Sequence, residues 1–99
     1  MTINRTAEND KLIFALEGRL DTTTAPQLEG VLIPAFDEAK EIILNFDKLA
    51  YVSSAGLRVL LKGQKAAKPK GASMTVTGVS DEIKEIFEMT GFTDMLTIV

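Results

Sequence analysis

The sequence contains neither cysteine nor histidine. Without cysteine there can be no disulfide framework and no thiolate chemistry. Without histidine the chain lacks the commonest general base at neutral pH and the commonest metal ligand, so a Ser-His-Asp triad cannot be built. Any metal ligands would have to be carboxylates, and the acidic positions between Asp81 and Glu88 are typical of a solvated helix face. We therefore predict no metal site, and the sequence implies no cofactor.

Other enzyme signatures are missing too. The chain has no Gly-x-Ser-x-Gly elbow, no Walker-type glycine-rich loop and no Gly-x-Gly-x-x-Gly fingerprint. A small hydrolase that used Ser53 or Ser54 would need a base, and neither serine has a lysine in the same helical turn. The sequence therefore indicates that the protein is not an enzyme.

Long apolar runs are also absent. The polar N-terminus lacks the apolar stretch of a signal peptide, and no run approaches the ~20 residues that span a bilayer. A net charge of −3 argues against a general nucleic-acid binder. We expect a soluble cytoplasmic protein with no membrane insertion and no direct nucleic-acid binding. Contact with a membrane protein stays open.

What the chain does contain is an alternation of strand and helix patterns. Short β-forming runs lie at 3–7, 12–16, 42–46, 74–77 and 95–99, and helical patterns lie between them. The order β-β-α-β-α-β-α-β requires parallel pairing across the strand-helix-strand units. We predict a single α/β (α+β) domain over residues 1–99, with a mixed, mainly parallel sheet and about three helices packed mainly on one side.

Several local features are predicted in more detail. Thr22, Thr23 and Thr24 offer N-caps to the first helix, and Pro34 should kink that helix or end it early. The run 42–46 is interpreted as a central strand covered on both faces, and residues 47–52 as a connection. Ser80 should cap the third helix, and Gly91 should end it.

Two hydroxyls and a glycine meet at the junction that opens the second helix, in the segment from Tyr51 to Leu61. One interpretation makes Ser53 or Ser54 an N-cap, with Gly56 relaxing the first turn. The other rests on the unpaired N–H groups and partial positive charge of a first helical turn, which favour a phosphate there. Phosphorylation would turn a neutral contact surface into an anionic one.

Four segments together resemble STAS domains, and more narrowly the bacterial anti-sigma factor antagonists. They are Gly18-Arg-Leu-Asp21, the run 42–46, Val52-Ser-Ser-Ala-Gly-Leu57 and the helix with its glycine ending at 83–92. The resemblance implies a protein that binds an anti-sigma factor that is also a serine kinase, and so frees a sigma factor for transcription. The kinase phosphorylates the antagonist at the start of the second helix, which weakens the complex, and a serine phosphatase resets it.

The resemblance also implies particular residue roles. Ser54 takes the place of the phosphorylated serine, and Ser53, where the family often has aspartate, becomes a competing acceptor. The family's Gly-x-Leu-Asp loop would bring Asp21 close to Ser54, although Asp21 is equally explained as a cap for the first helix. The expected partner-binding surface comprises Asp21, Thr22, Ser53, Ser54, Ala55, Gly56, Arg58 and Lys62.

Arg58 and Lys62 lie one turn apart on the exposed face of the second helix, in a stretch from Lys48 to Lys70 that has six cations and no acid. They are interpreted either as solvated charges or as part of the contact surface. Leu57, Leu60 and Leu61 are assigned to the core. A second function fits the same resemblance: a STAS subunit of a lipid-transport ATPase or a sensory complex, acting as a constitutive contact. The oligomeric state stays open.

Overall fold

Two antiparallel strands begin the chain, and helices and parallel strands then alternate to its end. The computed structural model describes residues 1–99. The elements are β1 (Thr2–Glu8), β2 (Lys11–Leu20), α1 (Ala25–Ala35), β3 (Glu41–Val52), α2 (Ser54–Ala67), β4 (Ser73–Thr77), α3 (Asp81–Thr90) and β5 (Thr97–Ile98). The predicted α/β order is confirmed. None of the three helices is long and apolar enough to cross a bilayer.

The five strands form one sheet in the order β1-β2-β3-β4-β5, in which only the β1–β2 pair is antiparallel. Buried side chains alternate along the strands, as expected when one face of a sheet is covered. In the parallel register Leu12 lies beside Ile42, and Ile42 lies beside Met74, so these buried residues share a face. The helices bury their apolar residues in the same core, which confirms the predicted one-sided packing.

The central strand differs from the prediction in two ways. β3 does not stop near residue 46 but runs to Val52, because β2 also continues and pairs with it as far as Leu20. The ladder shifts register twice along this extension, and Val52 is buried. The expectation that the strand is covered on both faces is also wrong, since Ile43 and Asn45 are only half-buried on the face that carries no helix.

The helix ends follow local chemistry. α1 ends at Ala35, directly after Pro34, so the predicted early end is confirmed. In α3 the Ser80 hydroxyl oxygen accepts a hydrogen bond from the Ile83 backbone N–H at 3.2 Å. Gly91 follows the last turn with φ of 77°, a left-handed conformation that suits glycine. Both predicted caps of α3 are therefore confirmed.

Helices α1 and α2 approach each other closely at Gly63. A Cβ atom at this position would lie 2.7 Å from the Leu32 side chain and 2.9 Å from the Met74 sulfur. Leu32 and Met74 are themselves buried, so neither has free space to move into. The absence of a side chain at Gly63 thus sets the distance between the two helices and the sheet.

We expect Gly63→Ala to destabilise the fold by about 1–3 kcal/mol, because the added methyl overpacks a filled core. Gly30→Ala is the matched control, since Gly30 also lies inside a helix but a methyl group added there would meet nothing within 4 Å. That change should stabilise the fold by about 0.5–1 kcal/mol through helix propensity. Urea unfolding measures both, and equal effects of the two substitutions would contradict this account of α1–α2 packing.

Candidate functional site

The adjacent ends of β2 and β3 bring two distant segments together. Leu20 pairs with Val52 in the parallel register, and the Ser53 backbone N–H donates a hydrogen bond to the Leu20 carbonyl oxygen at 2.8 Å. Because parallel strands end at the same edge of a sheet, the loop at Asp21 lies beside the start of α2. This is the neighbourhood that the resemblance implied.

The two serines of this junction have different roles. The Ser53 hydroxyl oxygen accepts a hydrogen bond from the Gly56 backbone N–H at 3.3 Å, so Ser53 is the N-cap of α2. Its own carbonyl accepts from the Leu57 N–H at 2.9 Å, and its side chain is half-buried. Ser54 is the first residue of the helix and is exposed. Of the two hydroxyls, therefore, only that of Ser54 is both free of capping and open to solvent.

Gly56 allows the helix to sit against the end of β2. A Cβ atom there would lie 2.7 Å from the Leu20 Cγ and 3.1 Å from the Leu20 carbonyl oxygen. Gly56 lies in the first turn of α2, where it was expected to relax the turn, and the structure adds this close approach to Leu20. Gly56 is buried, so it supports the junction from within, whereas its neighbour Ala55 is half-buried.

Asp21 organises the turn that leads into α1. Its carboxylate accepts hydrogen bonds from the Thr23 hydroxyl at 2.7 Å and from the Thr23 and Thr24 backbone N–H groups at 3.0 and 3.1 Å. The Thr23 hydroxyl bond, joined by the backbone bonds, lowers the pKa of Asp21 against the opposing effect of burial. Thr24 occupies the N-cap position of α1, as one of the three predicted threonines, but its side chain makes no capping bond and Asp21 holds the turn instead.

An aromatic contact at this edge was not predicted. The Arg19 guanidinium lies 4.3 Å from the centre of the Tyr51 ring, and its Nε is 3.8 Å from an Asp21 carboxylate oxygen. Arg19 and Tyr51 are partners in the β2–β3 register. The pairing of β2 with β3 beyond residues 16 and 46 would have predicted this contact. The predicted strands end near those residues, and the contact was therefore missed.

A groove of about 440 Å³ runs between α1 and α2, and we call it the α1–α2 groove. Thr22 and Ala55 lie at the end of this groove that is next to Ser54. Arg58 and Lys62 are exposed and line it further along. Four of the eight residues predicted for the contact surface thus line one groove, whereas Gly56 is buried and cannot belong to a contact surface.

The leucines of α2 divide between core and groove. Leu57 and Leu60 are buried, as predicted. Leu61 is only half-buried and lines the α1–α2 groove, so its assignment to the core is wrong. The apolar stripe of α2 is therefore wider than the area that the sheet covers, and its edge lines the α1–α2 groove.

A comparison with protein families decides which fold family this is. A model described as the STAS domain matches residues 2–99. The chain is a STAS domain. The resemblance drawn from the sequence is therefore confirmed for the family.

Among relatives, this STAS domain is 31% identical to the anti-sigma-B factor antagonist of Staphylococcus aureus, over 99% of this chain and 92% of the relative. Among solved structures it is similar to SpoIIAA, an anti-sigma factor antagonist, in its unphosphorylated form (TM-score 0.79, 16% identity, 99% and 87% of the two chains). It is also similar to the Bacillus cell fate determinant SpoIIAA in the phosphorylated form (TM-score 0.77, 17% identity, 99% and 91%).

A sulfate transporter family protein from Wolinella succinogenes has the same fold (TM-score 0.79, 23% identity, 92% of this chain and 75% of that one). The STAS fold therefore occurs in proteins whose names denote different tasks. Likeness at this level of identity shows the fold alone, so the task must be argued from the site.

Thr23→Val should raise the pKa of Asp21 towards its ordinary value, because the Thr23 hydroxyl is the largest cause of its lowering. A lowered pKa in the folded state stabilises the fold above the unfolded pKa, and this stabilisation is lost as the pH falls through the folded pKa. Carbon-13 NMR titration of the Asp21 carboxyl measures the shift. Thr22→Val is the control and should leave the Asp21 titration as in the wild type; an unchanged midpoint in Thr23→Val would refute the assigned cause.

Proposed function

We propose that this STAS domain is an anti-sigma factor antagonist that binds an anti-sigma factor with serine kinase activity and is switched off by phosphorylation of Ser54. One observation carries the proposal: Ser54 is exposed at the first position of α2, while the neighbouring Ser53 is occupied as the N-cap. The printed name of the Staphylococcus aureus relative supports the antagonist role.

A phosphate on Ser54 changes the surface without changing the scaffold. It adds about −1.5 to −2 charges at neutral pH. The first turn of α2 offers unpaired backbone N–H groups and the positive end of the helix dipole, which accommodate this charge. Because the hydrogen bond that starts the helix belongs to Ser53, modification of Ser54 leaves the cap in place. A partner that docks on the neutral surface then loses affinity through desolvation and repulsion.

Ser53 is the weaker acceptor. Ser53 is half-buried and its hydroxyl oxygen already accepts the Gly56 N–H, so a kinase would have to break this cap, worth about 1 kcal/mol, to reach it. Ser53 stands where the family often has aspartate, and this difference leaves the start of the helix intact. Serine and aspartate are both strong N-caps, so the substitution preserves the helix start and alters only the charge beside Ser54.

In this scheme the chain is the substrate of the kinase and not itself an enzyme, and ATP belongs to the partner. A serine phosphatase would remove the phosphate and restore binding. Because the exchange needs ATP and access to a sigma factor, it would take place in the cytoplasm.

The alternative function is a constitutive STAS subunit of a lipid-transport ATPase or sensory complex, and only the occurrence of this fold in a sulfate transporter family protein points towards a transport role. It needs no modification of Ser54. Gene neighbourhood separates the two functions, because a kinase or sigma factor gene next to this one favours the switch and a transporter operon favours the subunit.

The decisive experiment is a pull-down from the native lysate with and without ATP, followed by mass spectrometry of the peptide spanning residues 51–62. We expect the wild type to recover a kinase-type partner and to gain a phosphate on Ser54 when ATP is present. Ser54→Ala should keep the partner and stay unmodified. Ser54→Asp should weaken the complex by about tenfold or more, a change of about 1.4 kcal/mol, as isothermal titration measures.

Ser73→Asp is the matched control, because Ser73 is also an exposed serine but lies on β4, outside the residues that line the α1–α2 groove. It should be phosphorylated and bound like the wild type, whereas loss of binding in both serine variants would point to a general loss of stability. Equal modification of Ser54→Ala and the wild type would show that Ser54 is not the acceptor.

A further inference from the structure

The α1–α2 groove carries an excess of positive charge that the chain does not neutralise. Three cations, Arg58, Lys62 and Lys65, line it together with one carboxylate, Glu29. Glu29 is already engaged, since its carboxylate oxygen lies 3.1 Å from the Lys62 Nζ. Arg58 and Lys65 are exposed and form no ion pair within the chain.

The floor of the groove is apolar. Ala25 and Pro26 contribute from α1, and Val59 and Leu61 contribute from α2. A neighbouring cavity extends the cleft between the same two helices towards Ile33. An apolar floor beneath unpaired cations fits a ligand that has apolar side chains on one face and carboxylates beside them.

We propose that the α1–α2 groove docks an acidic, amphipathic segment of the protein partner, with its apolar side chains on the floor and its carboxylates on Arg58 and Lys65. Only the identity of that partner as the anti-sigma factor rests on the proposed function. Charge complementarity favours this occupant: the chain as a whole has a net charge of −3, yet three cations and one carboxylate line this cleft, which leaves Arg58 and Lys65 without an acid to pair with. The apolar floor favours a protein segment over a nucleic acid, whose backbone needs only the charge.

The groove also explains how one phosphate could control docking. Ala55 lines it, and Ser54 precedes Arg58 by four residues, which places both on the same helix face. A phosphate on Ser54 would compete with the incoming carboxylates for Arg58 and would repel them directly. The charge that opposes docking would therefore arise at the end of the groove where the segment binds.

The test uses the full chain, labelled with nitrogen-15, and two short helix-forming probe peptides. One peptide carries two leucines a helical turn apart flanked by glutamates, and the other replaces every glutamate by lysine. We expect the acidic peptide to shift the amide resonances of Ala55, Val59 and Leu61 at low ionic strength, and the basic peptide to leave them unchanged. Added salt should weaken binding of the acidic peptide, because salt screens the attraction between exposed charges.

Variants locate the binding surface. Arg58→Glu combined with Lys65→Glu should lower the affinity for the acidic peptide by about tenfold, the scale expected for reversing two exposed charges. Lys84→Glu combined with Lys68→Glu is the matched control, with the same change of net charge outside the residues that line the groove, and it should bind like the wild type. Phosphoserine encoded at position 54 should lower the affinity for the acidic peptide more than phosphoserine encoded at position 80 does.

Several results would overturn the inference: no shift with the acidic peptide, equal shifts with both peptides, or equal weakening by the two pairs of charge reversals. Concentration-dependent sedimentation that the groove variant abolishes would instead assign the groove to a second copy of the chain. The proposed function fails separately. If the kinase partner is captured but the groove variant binds it like the wild type, only the groove assignment is wrong; if the acidic peptide binds but Ser54 is never modified, only the switch is wrong.

Discussion

The close contact between the end of β2 and the start of α2 determines the geometry of the site. It consists of the hydrogen bond from the Ser53 N–H to the Leu20 carbonyl and of the missing side chain at Gly56, which lets Leu20 lie against the helix. A methyl group at Gly56 would clash with the Leu20 side chain and crowd its carbonyl oxygen, so either Leu20 or the helix would have to shift. The contact therefore fixes where α2 begins relative to the end of β2, and with it the position of Ser54.

The contact divides two tasks between adjacent serines. Ser53 starts the helix, and its side chain is partly enclosed, whereas Ser54 contributes nothing to the cap and faces solvent. A residue with no structural duty can be modified without unfolding its surroundings, which is what a reversible surface signal requires. The turn held by Asp21 supports the same edge independently, because its hydrogen bonds lie within residues 21–24.

The packing of α1 against α2 shapes both the core and the groove proposed for docking. Gly63 lets α2 pack closely on Leu32 of α1 and on Met74 of β4. Towards Ser54 the helices leave the α1–α2 groove, which Leu61 lines because the apolar stripe of α2 is wider than the sheet can cover. The same helix thus completes the core on one side and presents cations beside an apolar floor on the other.

Local sequence signals determined the order of the elements, the one-sided sheet, the caps of α3 and the end of α1 after Pro34. These features depend on periodicity and on hydrogen bonds between residues a few positions apart, so a short window of sequence contains their cause. The STAS resemblance likewise pointed to the edge at Asp21 and Ser54. Only the tertiary structure decided that β3 reaches Val52 and that Arg19 lies on Tyr51.

It also decided which serine is the cap and what the glycine in the second helix does. Each of these depends on which distant segment lies opposite: Leu20 beside Val52, and Leu20 against Gly56. The capping rule allowed either serine, and only the packed junction left one of them enclosed and the other exposed.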